Sequence, residues 1–194
     1  MGAIFQSLGR TVFAGFAILV LLIIATGAGA RMGDASWWAF VFRWLHVLSG
    51  VMWVGILYYF NFVQIPSMPK IPDEQKPAIG KVIAPAALFW FRWSALATVV
   101  TGIALAGKYR YLGSALTLGE GHVYIGIGMW LALIMAFNVW FIIWPNQKKA
   151  LGIVQVDADA KAKAARVAMI TSRVNTMLSI PMLFCMVAQQ NIPL

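Results

Sequence analysis

The sequence contains only two histidines, and each stands in or beside an apolar run, where an ionisable side chain is costly and tends to be functional. His46 lies in WLHVLSGVMWVG (Trp44 to Gly55) and His122 in GHVYIGIGMW (Gly121 to Trp130). Both stretches read His-Val-x-x-Gly, which sets Gly50 and Gly126 one helical turn along the same face as the imidazole. A glycine there leaves a notch in which a flat macrocycle can lie against backbone. Two imidazoles facing each other across such a space can ligate one haem iron axially, so His46 and His122 are candidate ligands of haem b. Trp53 and Trp130 follow at seven and eight residues, placed either to wall a porphyrin or simply to pack. Arg43, one turn before His46, suits a bidentate contact to a haem propionate, and equally a pairing with Asp34 or Glu120. The competing reading for either histidine alone is an ordinary hydrogen bond between helices.

Other chemistry is poorly served. Cys185 is the single cysteine, so no disulfide framework, thiolate zinc site or Cys-x-x-Cys-His attachment of a c-type haem is available. Zinc or copper would want three or four clustered ligands, which two histidines do not supply. The six acidic residues all fall in loops or at segment boundaries, and no Ser/His/Asp, Cys/His or paired-carboxylate grouping is present. Whether the chain is an enzyme is left open by its residues. Arg92, in FWFRWSAL, has no carboxylate within its own segment; it either snorkels to head groups from a belt of Phe89, Trp90, Phe91 and Trp93 or faces an internal polar site. Asn61, Asn138 and Asn175 read as interhelical hydrogen-bond partners.

The elements that must position these residues are membrane helices. Hydrophobic residues make up 61% of the 194 and charged residues 11%, far from a water-soluble domain. Five apolar segments, at about 11–30, 38–64, 82–107, 122–144 and 168–188, are each long enough or nearly so to cross ~30 Å of hydrocarbon. The expected fold is an all-α polytopic membrane helix bundle forming a single domain over 1–194. The first segment resembles a signal peptide, but with only Arg10 as basic flank it is expected to be a retained span.

Counting lysine and arginine in the connections gives ten on one side and three on the other, which predicts the N-terminus inside and the C-terminus outside. The net charge of +9 follows from this asymmetry; nucleic acid is not an expected partner, because the basic residues line no aromatic groove. The basic loops suit anionic lipid head groups. IPSMPKIPDEQKP, with four prolines, should turn the chain between the second and third spans, and Pro145 should stop the fourth after Trp144. Asp157 or Asp159 is placed to cap a helix that runs into the fifth span, which Pro181 should kink. By this reading the two histidines lie on codirectional spans, 18 residues before Gln64 and 22 before Trp144, an offset of about 6 Å.

Four strings, WLHVLSGVMWVGILYYF, FRWSALATVVTG, AFNVWFIIWPNQKKALG and SRVNTMLSIPMLFCMVA, together resemble the membrane domain of PuuD-type urate hydroxylases, the urate oxidase N-terminal family. The resemblance implies a membrane domain serving purine oxidation, with electrons passed through a cytochrome c domain to the respiratory chain. It offers His46, Arg92 and Asn138 as site candidates. This sequence departs from the family in lacking that cytochrome c domain, in having fewer spans, and in reading Phe91-Arg92-Trp93-Ser94 where the family is expected to carry a glutamate in place of the serine. Urate is therefore not carried over as substrate. The expected function is electron transfer or oxidation by a haem b protein within a respiratory or oxidoreductase assembly, with a separate cytochrome c as a possible partner. The alternative is a cofactor-free accessory subunit of a membrane redox complex.

Overall fold

The computed structural model describes residues 2–192, and its regular structure is entirely helical. Five helices are long and apolar enough to cross a membrane: α1 (Leu8–Ala25), α2 (Ala35–Lys70), α3 (Lys76–Lys108), α5 (Val123–Ala150) and α6 (Ala158–Asn191). The short α4 (Leu112–Leu116) lies between α3 and α5. Even the 18 residues of α1 reach ~27 Å at 1.5 Å each, so five helices of suitable length and composition are present, consistent with a multi-pass membrane protein.

The chain divides into one compact unit ending at Val41 and a second from Phe42 onward. In the first, no residue of α1 is buried. The helix ends at Ala25, earlier than the expected Ala30, because Gly27 takes a left-handed φ of +68° and starts a three-ten turn at Ala28–Arg31.

The second unit holds the core, where Trp53, Leu57 and Phe60 of α2 meet Leu88 and Phe91 of α3, Met135 and Val139 of α5, and Met182 of α6. Amides tie the helices together within it. Asn138 Nδ2 donates to Asn175 Oδ1 at 2.8 Å, Asn175 Nδ2 to the Met135 carbonyl at 3.0 Å, and Asn61 Nδ2 to Ser172 Oγ at 2.8 Å. All three asparagines are thus the interhelical partners their positions suggested. Apolar side chains such as Val51, Val100, Phe141 and Val187 face outward, as suits a lipid surround.

The prolines behave differently from expectation, and π-helical segments give the reason. Helical structure continues past Pro66 to Lys70 and past Pro145 to Ala150 instead of stopping. A π segment precedes each of three prolines: Tyr59–Gln64 before Pro66, Ile79–Ile83 before Pro85 and Asn138–Ile143 before Pro145. Proline lacks an N–H for the i−4 carbonyl and its ring crowds that carbonyl. A widened turn sends the upstream carbonyls to donors five residues on and relieves the clash. The only break between α2 and α3 is at 71–75, where Gln75 N–H donates to the Pro72 carbonyl at 3.0 Å. Beside it, a 2.6 Å hydrogen bond from Lys76 holds the exposed Asp73 carboxyl below the usual range. Asp157 caps α6 through the Ala160 N–H at 2.7 Å, and the helix runs unbroken through Pro181 to Asn191.

Candidate functional site

His46 projects from α2 onto α3, where its Nδ1 lies 2.8 Å from the Thr98 carbonyl oxygen. A carbonyl only accepts, so Nδ1 carries the proton and Nε2 keeps its lone pair. The ring comes this close because residue 102, the next turn of α3, is glycine. A Cβ there would stand 2.8 Å from His46 Cε1 and 3.0 Å from Nδ1. Gly50, one turn along α2, also faces α3, in ordinary contact range of the Thr98 methyl. The notch that receives the imidazole is therefore on the neighbouring helix, at Gly102.

His46, Gly102, Met129 and Met186 border a cavity of about 30 Å³. Its walls Val99 and Leu133 also border a groove of about 390 Å³ between α3 and α5, lined further by Leu96, Phe137, Trp140 and Phe141. The imidazole thus borders a small apolar cavity with two methionines on its wall, and that cavity shares Val99 and Leu133 with a larger, partly aromatic groove.

His122 has a different setting. It is not inside α5 but at its N-cap, and its Nδ1 lies 3.1 Å from Ser114 Oγ. Its ring stacks on Tyr111 with centroids 5.3 Å apart, Tyr111 stacks on Tyr109 at 6.4 Å, and the Arg43 guanidinium sits 5.2 Å from the Tyr109 ring centroid. Burial pushes the Tyr111 phenol up, with the nearby Arg43 charge acting the other way. Arg43 and His122 are therefore two ends of one stacked column. Gly126 offers no open notch: the Ala115 carbonyl of α4 fills it, with Leu118 Cδ2 also close. Trp130 Nε1 donates to the Leu116 carbonyl at 3.0 Å and fastens α4 to α5.

The remaining candidates are dispersed. Trp53 is 1% exposed within the core and lines neither cavity near His46. Arg92 lies with its guanidinium 3.3 Å from the Trp144 ring centroid, a stacking across helices in place of the expected belt within its own segment. Among the described residues neither Arg43 nor Arg92 has a carboxylate partner, and no group of three or more His, Cys, Asp or Glu could hold a metal ion. The structure brings together His46 and Gly50 at α3, and Arg43 and His122 through the tyrosines. None of the three cavities described is lined by both histidines. Sequence reasoning missed Thr98, Gly102, Met129 and Met186. The glycine in VVTGIALAG was the available signal.

A family described as urate oxidase N-terminal matches residues 115–191. That stretch covers α5, α6 and the Asn138–Asn175 pair, well under half of the 194 residues. It includes two of the four strings that carry the resemblance, and His122 but not His46. No curated protein and no solved structure matches the chain.

Proposed function

We propose that this chain is a multi-pass component of a bacterial inner-membrane oxidoreductase or respiratory assembly and that it carries a b-type haem on His46. The observation that carries the reading is the His46–Thr98 contact. A metal-bound imidazole characteristically donates its other N–H to a backbone carbonyl, which fixes the tautomer and leaves Nε2 for the metal. If a porphyrin is held here, Val99 and Leu133 would line it and Met129 or Met186, on the same cavity as His46, would offer the iron a thioether in the role first assigned to His122. When bound, the haem supplies a one-electron carrier. The chain's own residues hold the imidazole in one tautomer through the Thr98 carbonyl and seat its ring against Gly102.

Likeness over 115–191 to a family named for urate oxidation supports a redox setting. The lysine and arginine asymmetry supports an N-terminus inside and a C-terminus outside, and a cytochrome c is the proposed electron partner. Purification from the native membrane, followed by a dithionite-reduced minus oxidised spectrum, tests the reading. A b-type α band is expected, lost in His46→Ala and retained in His122→Ala. A band that survives His46→Ala overturns it.

One observation favours a second reading, a cofactor-free accessory subunit. The cavity beside His46 is only about water-sized. No haem at any stage of purification, with stoichiometric copurification of a membrane enzyme, is the outcome that selects it.

A further inference from the structure

A separate cavity of about 310 Å³ lies at the lysine-rich end of the second unit and shares no residue with the two beside His46. Its existence follows from local structure. The widened turns at Tyr59–Gln64 and Asn138–Ile143 both border it, through Phe60, Gln64 and Ile143. The facing stretch of α6 offers only methyl groups at Ala165 and Ala168, so the opposite wall does not fill the space.

The polar groups on this cavity are incompletely used. Gln64 Oε1 is buried and has no hydrogen-bond partner. One turn earlier, Asn61 Nδ2 donates to the Leu57 carbonyl at 2.9 Å and to Ser172 Oγ at 2.8 Å, while Asn61 Oδ1 is buried and unpartnered. Because Ser172 Oγ accepts from Asn61, its own O–H is left to donate. Gln64 and Ser172 both line the cavity, so the unmet acceptor and the available donor belong to residues of its wall. Leaving a buried acceptor unmet is costly, so a ligand that satisfies it is favoured.

A hydroxyl, which both donates and accepts, fits this pair; a carbonyl, which only accepts, satisfies Ser172 and leaves Gln64 unmet. The lining contains no Lys, Arg, Asp or Glu, which argues against an ionic ligand. Phe60 and Phe91 meet edge to face at 5.9 Å between centroids, and Met68 and Met169 complete a wall suited to an aromatic ring. All of this sits on helices apolar enough to lie in a bilayer, which suits a ligand that partitions into lipid. We infer that this cavity binds the head group of a lipid-soluble hydroquinone, one hydroxyl donating to Gln64 Oε1 and accepting from Ser172.

The test uses the full chain in detergent under anaerobic conditions, with binding measured by calorimetry for decylubiquinol, its di-O-methyl ether and decanol. Wild type should bind the quinol about tenfold or more tightly than the ether, which cannot donate, and more tightly than decanol, which lacks the ring. In Gln64→Leu the preference for quinol over ether should collapse toward unity. That ratio does not depend on the fraction of folded protein, so a merely damaged variant does not imitate the result. Met169→Trp, which fills the cavity, should remove binding of all three. Equal binding of quinol and ether by wild type, full discrimination retained by Gln64→Leu, or decanol binding as tightly as quinol would each overturn the assignment. None of these outcomes depends on whether His46 carries haem.

Discussion

His46 and His122 share a sequence pattern and have opposite surroundings. His46 presses sideways into a neighbouring helix, one nitrogen bonded to the Thr98 carbonyl and the ring edge against Gly102, next to apolar space. His122 stands at a helix start, hydrogen-bonded to Ser114 and stacked in a column of tyrosines that ends at Arg43. The glycine four residues on marks a packing contact in each case, but not the same one: Gly50 lies in loose contact with Thr98, and Gly126 is filled by the Ala115 carbonyl. A shared spacing along a helix thus fixes which face two residues occupy, and leaves open what stands opposite that face.

This contrast can be broken by substitutions of graded size. The largest effect is expected for Gly126→Ala, whose added methyl meets a backbone carbonyl that cannot swing away. A loss of about 3 kcal/mol, the upper range for overpacking, should appear in denaturant titration of the detergent-solubilised protein. Gly102→Ala should cost less, roughly 1–2 kcal/mol, because the His46 side chain can turn aside; any haem band should weaken in parallel, since the imidazole loses its position. His122→Phe keeps a ring to stack on Tyr111 but drops the Ser114 bond, and a loss of about 1 kcal/mol by the same titration is the expected size. Gly50→Ala has room, with the nearest atom 3.8 Å from the new methyl, and replaces a poor helix former. It should be neutral or stabilising by up to ~1 kcal/mol, and a clear loss of stability there would mean that α2 and α3 pack more tightly than described.

Much of this architecture is legible in the chain. The long apolar runs announce five helices because lipid-facing helices need no polar side, and Asp157 announces the start of α6 because an N-cap is a local device. The asparagines are legible because an amide among apolar residues needs a partner on another helix.

What was not legible depends on contacts remote in sequence or on elements too small to read. Thr98 and Gly102 lie over fifty residues from His46, and nothing near His46 points to them. The five residues of α4 carry no helical periodicity, yet their backbone closes the Gly126 face. Prolines at 66 and 145 read as breaks, because a widened turn has no sequence signature apart from the proline it accommodates. Arg92 read either as a residue seeking head groups or as one facing an internal polar site, and its neighbour the Trp144 indole, from a helix two elements later, was not legible.

The widened turns have one more consequence, for how α5 can vary. Each residue of an α-helix advances the face by about 100°, so a turn holding one extra residue resets the angular phase of everything beyond it. Trp144, Gln147 and Lys148 lie just past such a turn and owe their facing to it. Shortening 138–143 by a single position would spin that whole segment about its axis, carrying the indole off the Arg92 guanidinium while leaving composition and hydropathy almost untouched.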